Sequence, residues 1–283
     1  MRKWILWAVL VLVGTAATTV QAHASEQGKP ESISILAIGN SFSVDAMQYL
    51  YDILKEDGAK EIVLGNLYIG GCTLVRHDAN FRLNSPSYKY YKNTDGKWQT
   101  TEHFRPLDAL EEREWDYITM QQASGVSGLP DSFDPYLDRL VEIVKQKCPN
   151  AKLVWHQTWA YQQDSNHPQF KDYGSDQKQM FDAIMATLQE KILSREEFAG
   201  FIPSGTAVQY LRKGHFGDHI TRDGYHLSYN VGRYLAALTW AAALYGTDPD
   251  SITWHPSFSY CEEGLADIRK AAREAIEKPI PEP

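Results

Sequence analysis

The sequence predicts one α/β domain, a three-layer α/β/α sandwich around a central parallel five-stranded sheet. Short β-branched or aromatic runs alternate with stretches of helical apolar spacing along most of the chain, the pattern of βαβ units covered on both faces. The first run stops at Gly39-Asn40-Ser41, a turn that opens directly into a helical stretch. One segment, residues 72–113, breaks the alternation and reads as a β-rich insertion.

The elements follow in order. Ile33 to Ile38 is a short apolar run of the kind that forms a strand buried on both faces. Met47, Leu50, Tyr51 and Leu54 then recur at helical spacing, and Asp57-Gly58 ends that helix. Glu61 to Leu67 is the second strand, closing at Gly70-Gly71. Within the insertion, Tyr88 to Trp98 alternates aromatic and polar residues around Asp95-Gly96, a hairpin signal. This hairpin is expected to lie over one end of the main sheet. Trp115 to Met120 is the third core strand. Leu137, Leu140, Val141 and Val144 mark a helix that stops at Cys148-Pro149-Asn150. Lys152 to Trp155 is the fourth strand, Met180, Ile184 and Leu188 mark a helix, and Gly200 to Ile202 is a short fifth strand. Two helices close the chain, one on Val231, Tyr234, Leu235, Leu238 and Ala242, the other on Leu265, Ile268 and Ala272.

The N-terminus reads as an address. Arg2 and Lys3 precede an apolar stretch from Trp4 to Val13, and Ala22-His23-Ala24 has the small-x-small form of a signal-peptidase site. That stretch is far short of the roughly 20 residues a spanning helix needs. The expectation is a signal peptide over residues 1–24, a single domain over 25–283, and a periplasmic or secreted protein without stable membrane insertion. The formal net charge is -8, and no basic stretch follows the leader, so nucleic acid is not expected as a partner. The same charge disfavours a highly anionic substrate unless cations are focused locally. Of Cys72, Cys148 and Cys261 none forms a CxxC, and no Cys/His spacing suits a metal, so neither metal nor other cofactor is expected. Any disulfide pairing stays open, as does the oligomeric state.

Chemistry centres on two short motifs. Ser41 stands at the carboxyl end of the first parallel strand, where open α/β sheets place their ligands. Serine is also a common helix cap, so Ser41 or Ser43 alone could do no more than that. Ser43 stands where the last glycine of G-x-S-x-G belongs, which excludes that nucleophile elbow. A serine needs a base, and the base needs an orienting group. Asp223-Gly224-Tyr225-His226 supplies both, although an isolated DxxH is more often a turn-capping aspartate beside a solvated histidine. His219, after Asp218, is the alternative base.

Taken together, Ile38-Gly39-Asn40-Ser41-Phe42-Ser43, Gly70-Gly71-Cys72, Trp115 to Ser124 and Asp223-Gly224-Tyr225-His226-Leu227-Ser228 resemble, in order, the SGNH (GDSL-like) hydrolases, and within them the DUF4886-type proteins. The resemblance spans nearly the whole chain and implies a flavodoxin-like sheet and a serine esterase. Carried over, it makes Ser41 the nucleophile, His226 the base and Asp223 its orienting acid. The oxyanion hole would use the N–H of Ser41 and of Gly70 or Gly71, although Gly70-Gly71 by itself reads as a plain turn. The family's G-x-N-D block is absent. Gln121-Gln122 stands there instead, and either amide could be the third donor or merely bond to neighbouring loops. Asn40, beside the nucleophile, is a further contributor.

Trp155-His156-Gln157-Thr158-Trp159-Ala160-Tyr161 ends the fourth strand, so His156, Trp159 and Tyr161 are expected at the rim, stacking on a sugar. The competing reading makes Trp155 and Trp159 core packing. The remaining histidines, His167 among them, show no partner pattern and read as loop residues. The resulting expectation is an exported esterase acting on small acyl esters, acetyl among them, on a small molecule or carbohydrate. A lipase or thioesterase with the same triad, and a non-catalytic carbohydrate-binding protein, are the alternatives.

Overall fold

A computed structural model describes residues 28–257 and 262–281 of the chain. The expected leader and Cys261 lie outside the described residues.

One mixed sheet carries the fold. Its strands are β1 (Ser32–Gly39), β2 (Glu61–Tyr68), β3 (Tyr88–Asn93), β4 (Gln99–Phe104), β5 (Tyr117–Met120), β6 (Lys152–His156) and β7 (Phe198–Ile202), in the order β4-β3-β2-β1-β5-β6-β7. The five strands β2-β1-β5-β6-β7 are parallel and match the runs read from the sequence. Two antiparallel strands, β3 and β4, make the sheet seven-stranded. This corrects the expected placement of the hairpin, which does not lie over an end of the sheet. Its first strand pairs with β2 from Leu64↔Asn93 to Tyr68↔Lys89 and so extends the sheet at its edge. The turn between them forms as the sequence suggests: Gly96 takes φ +90° and its N–H donates to Asn93 Oδ1 at 2.8 Å.

Nine helices cover the sheet among the described residues: α1 (Ser41–Met47), α2 (Leu50–Glu56), α3 (Leu74–Arg82), α4 (Pro106–Glu111), α5 (Tyr136–Lys147), α6 (Gln177–Lys191), α7 (Ser204–Arg212), α8 (Val231–Tyr245) and α9 (Glu262–Glu277). Alternation along β1 shows why both faces need cover. Ile33, Ile35 and Ala37 point into a core shared with α1, α2, α8 and α9, while Leu36 and Ile38 point into a second core with α3 and α5. Helix α8 (VGRYLAALTWAAALY) is buried on nearly every side, which fits a helix wedged between the sheet and α1, α2, α7 and α9.

Two helical details depart from the sequence pattern. The single helix expected through Met47 and Leu54 is broken at Gln48–Tyr49, where Trp98 Nε1 of the hairpin donates to the Gln48 carbonyl at 3.4 Å. Helix α7 begins on Ser204-Gly205-Thr206, all buried, and its small polar start hid it from an apolar count. The insertion also contains α3 and α4, so it is less purely β than its aromatic alternation suggested. No helix among the described residues is long and apolar enough to cross a membrane. Cys72 and Cys148 are both buried and free.

Candidate active site

In chain order the parallel strands run 2-1-3-4-5, so connections leave β1 in opposite directions on its two sides. Such a switch point opens a crevice at the carboxyl ends of the strands. Three loops meet there: Asn40-Ser41 after β1, Gly70 to Thr73 after β2, and Ala123 to Gly125 after β5. They line a cleft of about 440 Å3, closed on its other sides by His167, Arg222, Tyr225, His226, Arg233, Tyr68 and Tyr91.

The cap question is resolved at the first turn of α1. Asn40 is the N-cap, its Oδ1 accepting from the Phe42 N–H at 3.0 Å. Ser43 is buried, bonded to the Asn40 carbonyl at 2.8 Å and to the Asn66 side chain at 3.0 Å. Ser41 therefore has neither task. Its Oγ lies 2.8 Å from His226 Nε2, and His226 Nδ1 lies 2.7 Å from Asp223 Oδ2. With Nδ1–H donated to the carboxylate, Nε2 carries the lone pair toward the serine.

The loop from Thr221 to Leu227 holds this geometry. Thr221 and Leu227 form an antiparallel bridge, the Arg222 N–H donates to the His226 carbonyl at 2.9 Å, and Gly224 turns the chain at φ +89°. Asp223 Oδ1 accepts the backbone N–H of His226 at 2.8 Å and of Tyr225 at 3.2 Å. Asp223 thus holds the turn with one oxygen and meets the His226 ring with the other. Partial burial pushes its carboxyl pKa up, but the hydrogen bonds from the His226 ring and the two backbone N–H groups outweigh this and hold it below the usual value. His219 is exposed and stands outside this chain of bonds.

Beneath the loop sits an ion cluster around a buried carboxylate that sequence reading missed. Asp45 of α1, fully buried, accepts from Arg222 Nη1 at 3.0 Å, Arg233 Nη2 at 2.7 Å and the Leu227 N–H at 2.9 Å. It ties the helix of Ser41 to the loop of His226. A lone Asp in a helical run gave no signal of this, because its partners lie far along the chain.

The other expected site residues divide. Asn40, Gly70 and Gly71 line the cleft with Ser41. Gly71 takes φ +58° with open space where a Cβ would be, and no cap or loop acceptor among the described residues takes up the N–H of Ser41, Gly70 or Gly71. The two glutamines are placed elsewhere. Gln122 is buried; its Nε2 donates to the Ser132 carbonyl and hydroxyl, both at 3.0 Å, and its Oε1 accepts from the N–H groups of Leu74 at 3.0 Å and Ala123 at 2.8 Å. Gln121 donates to Asn40 Oδ1 at 2.8 Å and bonds His156 Nδ1 at 2.8 Å. Its amide supports the cap of α1 and does not reach the cleft wall.

The aromatic rim also moves. His156, Trp159 and Tyr161 are all fully buried, contrary to the expected place at the rim. His156 continues the chain from Gln121 to Ser204 Oγ at 3.1 Å, and burial holds its pKa down at about 3, so it stays neutral. Trp159 stacks on Phe42 at 4.0 Å and donates to the Tyr225 carbonyl at 2.7 Å, bracing the loop from below. Tyr161 bonds Ser124 Oγ at 2.9 Å. The chain after β6 runs under the Asp223–His226 loop, which is why its rings are covered. Tyr68 and Tyr91, 5.5 Å apart, and Tyr225 with His167, 4.7 Å apart, are the cleft's aromatic walls instead. Tyr91 lies on the hairpin already singled out; His167 had no sequence partner to mark it.

No three His, Cys, Asp or Glu residues cluster as a metal site among the described residues. Fold and cleft together define a class: an α/β/α sandwich with serine, histidine and aspartate hydrogen-bonded in series at a sheet switch point. A family model described as DUF4886, a domain of unknown function, matches residues 34–275, and the chain belongs to that family. A solved DUF4886 family protein from Bacteroides uniformis is 38% identical, with a TM-score of 0.83 over 88% of this chain and 96% of the other. A protein from Parabacteroides merdae described by its likeness to GDSL lipases is 13% identical with a TM-score of 0.49, covering 76% and 96% of the two chains. A catalytic mutant of the acetylxylan esterase Axe2 from Geobacillus stearothermophilus is 12% identical with a TM-score of 0.48, covering 78% and 96%. A comparison with curated proteins finds no match.

Proposed function

We propose that the protein is a serine esterase that cleaves small acyl esters through an acyl-enzyme. The observation that carries this reading is the series Ser41 Oγ–His226 Nε2–Asp223, at 2.8 and 2.7 Å. In the reaction, His226 takes the Ser41 proton as Oγ attacks the ester carbonyl, then returns it to the leaving alcohol. Water, activated by the same histidine, releases the acid. Asp223 keeps the imidazole in the correct tautomer and stabilises its cationic form. The N–H groups of Ser41 and of Gly70 or Gly71 receive the developing oxyanion, each such donor contributing about 3 kcal/mol.

An open cleft walled by tyrosines and arginines suits a short acyl group better than the apolar tunnel a lipase would need. Carbohydrate as the alcohol is supported by the Tyr68–Tyr91 wall, since sugars stack on such rings; the buried Trp159 and Tyr161 no longer support it. Activity outside the cytoplasm rests on the leader-like residues 1–24.

Hydrolysis of p-nitrophenyl acetate, butyrate and octanoate by wild type and Ser41→Ala tests the proposal. Activity should fall with chain length and drop at least about a thousandfold in the variant. Equal activity in Ser41→Ala would remove Ser41 as nucleophile.

A further inference from the structure

We infer that the ester this cleft takes carries a second, ionised carboxylate, as in an O-acylated uronic acid unit, and that Arg222 and Arg233 receive it; the inference rests on the esterase reading of the same cleft. The chain carries a net charge of -8, yet the ionised side chains lining the cleft are two arginines and one aspartate. The lining side chains thus carry one positive charge more than Asp45 offsets, in a chain whose net charge is negative; the Asp223 carboxylate lies behind His226 and meets its ring.

The bonding identifies where that charge is available. Both guanidinium groups share Asp45, so one of them would already neutralise it. Arg233 is committed on three sides, through Nε and Nη2 to Asp45 and through Nη1 to Gln48 Oε1 at 3.2 Å. Arg222 differs. It gives Nη1 to Asp45 and to the Leu227 carbonyl, and no acceptor among the described residues meets its Nε or Nη2. Those two groups are the pair a carboxylate binds in bidentate fashion.

The pair is also held still. The Tyr229 ring packs on both guanidinium groups, 4.9 Å from Arg222 and 4.7 Å from Arg233, and the Tyr229 carbonyl accepts from Tyr49 Oη at 2.6 Å. An arginine fixed in this way loses little freedom on binding an anion. A sugar ring against Tyr68 and Tyr91, with its ester at Ser41 and its carboxylate at Arg222, would use the tyrosine wall, the serine and the arginine side of the cleft.

The test compares O-acetylated methyl glucuronide with O-acetylated methyl glucoside, which differ in carboxylate against hydroxymethyl. Wild type should favour the glucuronide by about tenfold or more in kcat/KM, mostly in KM, with the preference shrinking as salt rises. Arg222→Gln should bring the ratio near one, and Arg222→Lys should keep part of it. A wild-type ratio near one, or a ratio unchanged in Arg222→Gln while both rates fall together, would overturn the inference and leave the esterase standing. Equal preference for an O-acetylated glucose 6-sulfate would overturn the carboxylate assignment. Should no ester be cleaved, the esterase reading fails, and calorimetric titration of wild type with methyl glucuronide reads the anion site alone. Binding lost in Arg222→Gln supports it, and no binding overturns it.

Discussion

Asp223 divides its two oxygens between a turn and a ring, and that division makes its charge matter to both folding and the proposed chemistry. Its folded pKa lies below the unfolded value, so its contribution to stability is present above about pH 4 and is lost as pH falls through the folded value. The stability difference between wild type and Asp223→Asn, from urea denaturation, should accordingly be constant above about pH 5 and shrink as pH falls below about 4. Near pH 7 the same variant should lower kcat on p-nitrophenyl acetate by about 10^3- to 10^4-fold, because an amide in place of the carboxylate favours the wrong tautomer. The two described cysteines behave oppositely to reactive thiols. Burial raises Cys72 to about 12 and Cys148 to about 11, so both should stay unlabelled by iodoacetamide at pH 8 until the protein unfolds, read by peptide mass mapping. At this scale Ser41, His226 and Asp223 were legible as a set because their motifs are local and ordered. Asp45, Arg233 and His167 were not, because each acquires its meaning from a partner far away in the chain.

Strands were read closely because a buried parallel strand is apolar on both faces and leaves an unbroken run, as in Ile33 to Ile38. Edges and ends were harder. The hairpin's turn chemistry was visible in Asp95-Gly96, but nothing local states which strand it joins, and its pairing with β2 follows from tertiary context. The stretch after β6 was misplaced for a related reason: a strand's direction predicts where its end lies, not what crosses above it. Trp159 and Tyr161 are covered by the loop that carries Tyr225. The junction of β1 and α1 is the tightest element boundary. A Cβ on Gly39 would stand 2.4 Å from Ser43 Oγ, which Asn40 and Asn66 already hold. Gly39→Ala should cost about 1–3 kcal/mol in chemical denaturation and displace the turn that presents Ser41.

Across the whole molecule the cleft is a product of strand order. Reversal of direction beside β1 brings the loops after β1, β2 and β5 to one place, and helical and strand periodicity alone implied such a crevice without saying which residues would wall it. The last third of the chain then closes it from outside the sheet, through the loop before α8. Asp45 is the fastening between these parts. Asp45→Ala would leave two partly buried arginines without their counter-charge and should lower stability by about 3–5 kcal/mol in urea titration. The same fastening orders events during synthesis. His226 lies 185 residues beyond Ser41, and Leu227, which donates to Asp45, lies 182 residues beyond that carboxylate. A nascent or truncated chain ending before this loop holds Ser41 with no base beside it and Asp45 with no arginine to neutralise it. On the proposed function, the esterase is therefore assembled only once the loop before α8 has been made.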